Sequence, residues 1–184
     1  METRVISSVV DAIAELPRPT QRPLVVGIDG PSGSGKSHLT AIVADQFAAT
    51  VIAMDAIYPG WQGLQAALDI LVTQVLRPLS QGHSTKVDTW DWTTSRPGLP
   101  REISCDPATV IVIDGVGSGC RAARPYLDLL IWVTADESTR KQRALARDDW
   151  RESTQWQNWA EQEERYFRED DPRGSADFHL ITDH

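Results

Sequence analysis

The sequence predicts a three-layered α/β fold, a mostly parallel sheet of about five strands with helices on both faces. Short apolar runs of strand length alternate along the chain with longer segments of helical periodicity, which implies parallel strands buried on both sides. The 184 residues, 41% of them apolar, show no linker, internal repeat or low-complexity tract. Residues 1–184 therefore read as one domain with a real core.

The elements follow in order. Residues 3–16 set Val5, Val9, Ile13 and Leu16 near helical spacing, and "PRPTQRP" ends this N-terminal helix within residues 1–20. "LVVGID" (24–29) is a buried-strand pattern. "KSHLTAIVADQFAA" follows as a helix with Leu39, Ile42, Val43 and Phe47 on one face, and "TVIAM" (50–54) is a second strand. Apolar groups at 64, 68, 71, 75 and 79 mark an amphipathic helix over 62–79. Residues 80–108 are polar and rich in proline and tryptophan, without a clear period; loops of that length are often functional. "TVIVID" (109–114) and "LDLLIWV" (127–133) are further strands. "TADE" (134–137) reads as a capping box for a helix reaching about residue 148, another helix covers about 154–168, and "ADFHLITD" supplies the last strand.

Composition excludes several functions. The formal net charge of −8 argues against nonspecific binding to nucleic acid or an anionic membrane. Much of it lies between Asp148 and Asp171, where nine acids and three arginines read as a solvated helix face. No run approaches the length needed to cross a bilayer and the first residues lack a signal-peptide pattern, so a cytoplasmic location is expected. Cys105 and Cys120 read as buried, reduced thiols, and His38, His83, His179 and His184 show no metal-ligand spacing. A homo-oligomer is compatible with the sequence.

Chemistry concentrates where strands end. "GPSGSGKS" (30–37) matches G-x-x-x-x-G-K-[ST], with a strand before it and a helix after it. Glycines let backbone N–H groups curl around phosphates, and the helix N-terminus favours negative charge. Gly30, Ser32, Gly33, Ser34, Gly35, Lys36, Ser37 and His38 are thus the candidate nucleotide-binding residues, with ATP and Mg²⁺ as expected cofactors. Lys36 is expected on the β- and γ-phosphates, and the Ser37 hydroxyl on Mg²⁺. Asp114, an acid just past four apolar strand residues, is the expected second element of the magnesium site. The "GVGSG" that follows is either a phosphate-proximal loop or a plain one. Arg140, Arg143 and Arg147 fall on one helical face, with Arg151 just beyond, as an arginine-bearing lid would require; the lid and the helix that follows it are expected over about 148–168. Asp55, in "AMDAIYPGW", is either a turn cap or a base. Trp156 and Trp159, three apart, read as packing residues.

In this order the elements resemble the uridine kinase and phosphoribulokinase group of P-loop kinases, and uridine kinases most closely. Four stretches between Leu24 and Asp183 carry the likeness: "GIDGPSGSGKS", "MDAIY", "TWDWTTSR" and "DESTRKQRALARD". The resemblance implies Asp55 as general base and Asp91 as a ligand of sugar hydroxyls. It also implies Tyr58, Trp90, Trp92 and Arg96 as the lining of the acceptor pocket. Lys36, Arg143 and Arg147 would act with Asp55 in catalysis, Arg140 and Arg143 would contact the nucleotide, and Ser37 and Asp114 would hold the metal.

Two features depart from uridine kinases. Pro59-Gly60-Trp61 runs almost straight into the next helix, where that family carries an extra base-enclosing segment. "WDWTTSR" also has no counterpart of the pyrimidine-contacting histidine. The expectation is an ATP- and Mg²⁺-dependent kinase acting on a hydroxyl of a nucleoside or nucleoside-like acceptor. A kinase for a different small alcohol, a nucleoside monophosphate kinase using Arg77, Arg96 and Arg101, and an ATP-binding switch protein are the alternatives.

Overall fold

The computed structural model describes residues 2–146 and 153–182. In chain order the elements are α1 (Glu2–Glu15), β1 (Leu24–Asp29), α2 (Lys36–Phe47), β2 (Thr50–Ala53) and α3 (Leu64–Ile70). A π-helical stretch, Leu71–Leu76, continues α3 into the short α4 (Arg77–Ser80). Four small strands follow: β3 (Thr85–Val87), β4 (Trp90–Asp91), β5 (Arg96–Pro97) and β6 (Arg101–Ile103). The chain continues through β7 (Val110–Asp114), β8 (Leu129–Thr134), α5 (Glu137–Ala146), α6 (Ser153–Asp170) and β9 (Phe178–Ile181).

The main sheet has the order β2-β7-β1-β8-β9, and every pairing in it is parallel. Alternation along the strands divides the core in two. Leu24, Val26, Ile28, Val110 and Val112 face α1 and α2 through Val9, Ile13, Leu39 and Val43. Val25, Ile52, Ile111 and Ile113 face the α3–α4 rod and α6, with Leu68, Leu71, Val75, Trp159 and Tyr166. Burying side chains of this size is worth about 1.5–3 kcal/mol each, so the two faces together hold the three layers. β1 lies between β7 and β8, where successive connections leave in opposite directions. A sheet of this topology opens a crevice beyond the carboxyl ends of its strands.

The polar segment 80–108 folds as two small antiparallel pairs, β3 with β6 and β4 with β5. Strands of two or three residues are too short to show a period, which is why they read as loop. The capping box is displaced by two residues. Thr134 ends β8, and Asp136 caps α5 instead, accepting the Thr139 N–H at 2.9 Å and the Ser138 and Thr139 hydroxyls at 2.5 Å. These hydrogen bonds, that from Ser138 first, hold the Asp136 carboxyl below the usual range. Both cysteines are free; burial pushes the Cys120 thiol up to about 11. Among the described residues no helix is long and apolar enough to cross a membrane.

Candidate active site

β1 delivers the chain into the glycine-rich loop. Gly30 and Gly33 have φ of 142° and 77°. A Cβ at Gly30 would strike the Val133 carbonyl, and one at Gly33 would strike the backbone of Arg140. Glycine is thus required twice over, by a left-handed backbone and by the close approach of β8 and α5. α2 then opens at Lys36 with no side chain capping its first N–H groups, as suits a helix end meant for an anion. Lys36 is buried, and its Nζ donates to the carbonyls of Gly30 (2.7 Å) and Pro31 (3.0 Å), so the ammonium lies across the loop. Ser37 and His38 are exposed at the start of the helix.

Behind the loop sits Asp29, which is fully buried. Its carboxylate accepts N–H groups from Gly30 (2.6 Å), Gly117 (3.3 Å) and Gly119 (2.7 Å), and the Tyr166 hydroxyl at 2.6 Å. Burial raises this carboxyl above its ordinary value and the donors oppose that rise, Tyr166 foremost. The "GVGSG" segment thereby gains a definite role: its N–H groups tie it to the start of the phosphate loop.

Register sets Asp114 at the end of β7 opposite Ile28 on one side and Ala53 on the other. Among the described residues its Oδ1 is buried without a hydrogen-bond partner of normal geometry, and so is Oγ1 of Thr40, which lies near enough to influence the carboxyl. Burial raises the Asp114 carboxyl, Lys36 and the hydroxyls of Thr40 and Ser37 hold it down, and Asp55 adds to the rise. Asp114 is thus within electrostatic reach of Lys36, Ser37, Thr40 and Asp55. An orphaned carboxylate oxygen beside hydroxyls fits Mg²⁺, a hard cation that takes oxygen ligands and keeps several waters. Among the described residues no three His, Cys, Asp or Glu side chains converge as a tighter cage would demand.

Asp55 sits in a single 3-10 turn, Met54–Ala56, directly past β2, with its side chain exposed. Its backbone carbonyl accepts the Trp92 indole N–H at 2.7 Å. Trp92 also meets Trp61 edge to face, with centroids 5.0 Å apart, and Trp90 lies against Gly60. Trp92, at 36% exposure, is a surface ring and not core. Tyr58 is buried; its hydroxyl donates to the Val116 carbonyl at 2.8 Å and its ring meets Trp159 at 4.7 Å. The structure thus brings Tyr58, Trp90 and Trp92 around the turn that carries Asp55.

Asp91, expected as a sugar ligand, caps its own turn. Its carboxylate accepts the N–H groups of Thr93 (2.9 Å) and Thr94 (3.3 Å) and the Thr94 hydroxyl (2.8 Å). Hydrogen bonding, that from the Thr94 hydroxyl first, holds this carboxyl below the ordinary range. Arg96 lies opposite Asp91 in the hairpin register and is exposed.

On the other side of the loop, α5 brings its arginines close. Arg143 donates to the Thr182 hydroxyl (2.9 Å) and carbonyl (2.8 Å) and approaches the Gly33 carbonyl at 3.5 Å. Thr182, just past β9, donates in turn to the Ser34 carbonyl at 2.6 Å. The Arg140 backbone packs on Gly33, and among the described residues its Nε is buried without a hydrogen-bond partner. Arg147 and Arg151 lie outside the described residues.

Several residues at the site escaped the sequence reading. Glu163, counted among solvated acids, is only 4% exposed and touches Ser32. Trp159 is buried as a packing residue would be, yet its N–H donates to Glu163 at 2.7 Å and lies 3.1 Å from the Ser32 hydroxyl. Trp159, Glu163 and Tyr166 are spaced i, i+4, i+7; that spacing was the available signal, hidden by the acids around it. Asp29 and Thr182 carry no sequence signal beyond their positions at strand ends.

No protein-family model matches the chain. Among characterised proteins it is 27% identical to a uridine kinase of Staphylococcus haemolyticus, over 67% of this chain and 68% of that protein. It is 26% identical to a uridine kinase of Lactobacillus johnsonii, over 70% of this chain and 69% of that one. Among solved structures, one described as a possible uridine kinase from Bacillus stearothermophilus superposes with a TM-score of 0.69 at 23% identity. That match covers 98% of this chain and 100% of the other, and it shows a shared fold. The motifs, the sequence relatives and the fold agree: the chain resembles the uridine kinase-like P-loop kinases.

Proposed function

We propose that the protein is a kinase that uses ATP and Mg²⁺ to phosphorylate a hydroxyl of a nucleoside or nucleoside-like acceptor. One observation carries this reading. Register sets Asp114 opposite Ala53, two residues before Asp55, and the Asp114 carboxyl feels Lys36 and Ser37 of the loop as well as Asp55. A protein that only senses nucleotide has no need of the exposed second acid. The similarity to uridine kinases supports the choice of acceptor class.

In this mechanism the loop N–H groups and the start of α2 hold the β- and γ-phosphates of ATP. Lys36 leaves the carbonyls of Gly30 and Pro31 for the phosphate oxygens. Mg²⁺, held by the Ser37 hydroxyl and by Asp114, would neutralise charge on the β- and γ-phosphates. The acceptor oxygen bonds to the γ-phosphorus as the bond from that phosphorus to the bridging oxygen breaks. ADP keeps that electron pair, and the hydroxyl proton passes to the Asp55 carboxylate. Arg140 and Arg143 of α5 would meet the charge that spreads over the transferring group, a role the family resemblance also implies for Arg147, and Tyr58, Trp90 and Trp92 would wall the acceptor. Arg77, Arg96 and Arg101 are exposed on three separate elements, which gives no support to a phosphorylated acceptor.

An ATP-consumption screen over nucleosides and small metabolic alcohols tests the reading. Consumption that depends on one nucleoside or related alcohol is the expected result. Tight ATP binding with no consumption on any compound would favour a switch protein instead.

A further inference from the structure

α6 touches both halves of the site along one face. Tyr166 donates to Asp29 at the root of the phosphate loop, and Trp159 packs on Tyr58, just past the turn that carries Asp55. Gln162 donates to the Trp61 carbonyl at 2.8 Å. Glu163 lies between these contacts. Its Oε1 accepts the Ser32 N–H at 3.0 Å, the Ser32 hydroxyl at 2.5 Å and the Trp159 indole N–H at 2.7 Å.

A carboxylate 4% exposed and hydrogen-bonded to these neutral donors is a poor choice for packing alone. An apolar or amide side chain would fill the same space without the cost of taking a charge out of water. What the carboxylate adds is a set of charge-assisted hydrogen bonds aimed at one residue of the loop, roughly twice as strong as neutral ones. Ser32 has both its N–H and its hydroxyl fixed this way, inside a loop whose function depends on the direction of its N–H groups.

We propose that Glu163 is a positioning residue for the phosphate-binding loop, braced by Trp159 against Tyr58, just past the turn that carries Asp55. It sets the loop in its phosphate-receiving shape from a helix more than 120 residues away in sequence. The inference rests on the nucleotide-site reading and not on the identity of the acceptor.

The test compares the wild-type protein with Glu163→Ala, Glu163→Gln and Trp159→Phe, by Mg·ATP titration and by amide hydrogen exchange over residues 30–37. Glu163→Ala leaves two Ser32 donors without their acceptor; about tenfold weaker Mg·ATP binding is expected, with faster exchange confined to 30–37. Glu163→Gln keeps an acceptor oxygen but not its charge, and should fall between Glu163→Ala and wild type in affinity. Trp159→Phe keeps a ring against Tyr58 but frees the brace, and should speed exchange in the same segment by a smaller factor. Wild-type affinity and exchange in Glu163→Ala would overturn the proposal. So would tighter Mg·ATP binding, which would make Glu163 an obstacle to phosphate. If Glu163→Ala fails to fold, Trp159→Phe decides, and unchanged exchange at 30–37 would overturn the role. A wild-type protein that binds no Mg·ATP would overturn the nucleotide-site reading as well, a result distinct from the others.

Discussion

On the proposed function, the phosphate end and the acceptor end of the crevice are built in different ways. At the phosphate end the loop is held by contacts from several elements: Asp29 by four donors, Ser32 by Glu163, and Ser34 by Thr182. At the acceptor end Asp55 and Trp92 are exposed, and Asp91 is occupied with its own turn. The difference suits the chemistry. Phosphates are the same in every nucleotide, so their site can be rigid and preorganised, whereas the acceptor site must admit one hydroxyl compound among many.

Substitutions can break that contrast, beginning where the effect should be largest. Lys36→Ala removes the cation from the rigid end, and turnover should fall by about a thousandfold or more in an ATP-consumption assay. Asp55→Asn removes the proposed base from the open end. It should lower kcat about a hundredfold or more while leaving Mg·ATP affinity, read by titration, unchanged. Equal loss of affinity in both variants would erase the distinction between the two ends.

Gly33→Ala introduces a Cβ into the Arg140 backbone at φ 77°. It should cost about 1–3 kcal/mol in stability, measured by denaturant unfolding, and weaken Mg·ATP binding. Trp92→Phe keeps an aromatic ring beside Trp61 but loses the N–H to the Asp55 carbonyl. Only a few-fold loss of kcat is expected, with no change in Mg·ATP affinity, because the lost bond is exposed.

Asp114 sharpens the comparison through pH. Burial raises its carboxyl, so the folded protein binds that proton more readily than the unfolded chain. Its contribution to stability therefore falls as pH rises from the ordinary carboxylate range through the raised folded value, and is level beyond it. Asp114→Asn should match wild type at low pH, melt higher at neutral pH, and lose Mg²⁺-dependent turnover. Thermal melting from acid to neutral pH reads the difference. A buried acid that destabilises the fold is intelligible as a ligand.

How much of this was legible in the sequence follows the same division. The sheet and the phosphate loop were legible because their causes are local: apolar runs of strand length, and glycines at fixed offsets before Lys36. Cap assignment erred by two residues because Thr134 and Asp136 both offer an oxygen and only the strand end chooses between them. The hairpins of 80–108 were too short to show a period. Glu163 was hidden for another reason. A carboxylate in an acidic helix looks solvated until tertiary packing carries it to Ser32, and no pattern in residues 153–170 says which acid will be buried. Asp91 was visible as an acid beside tryptophans, but its commitment to Thr93 and Thr94 is set by the turn that forms around it.

The most direct test of the central claim follows the phosphoryl group itself. ATP labelled at the γ-phosphate is incubated with the protein, Mg²⁺ and a panel of nucleosides and small alcohols, and the products are separated. The account predicts label in a phosphate monoester of one such hydroxyl compound, lost in Asp55→Asn although that variant still binds ATP. Label found only in ATP or in free phosphate, with nucleotide tightly bound, would contradict it.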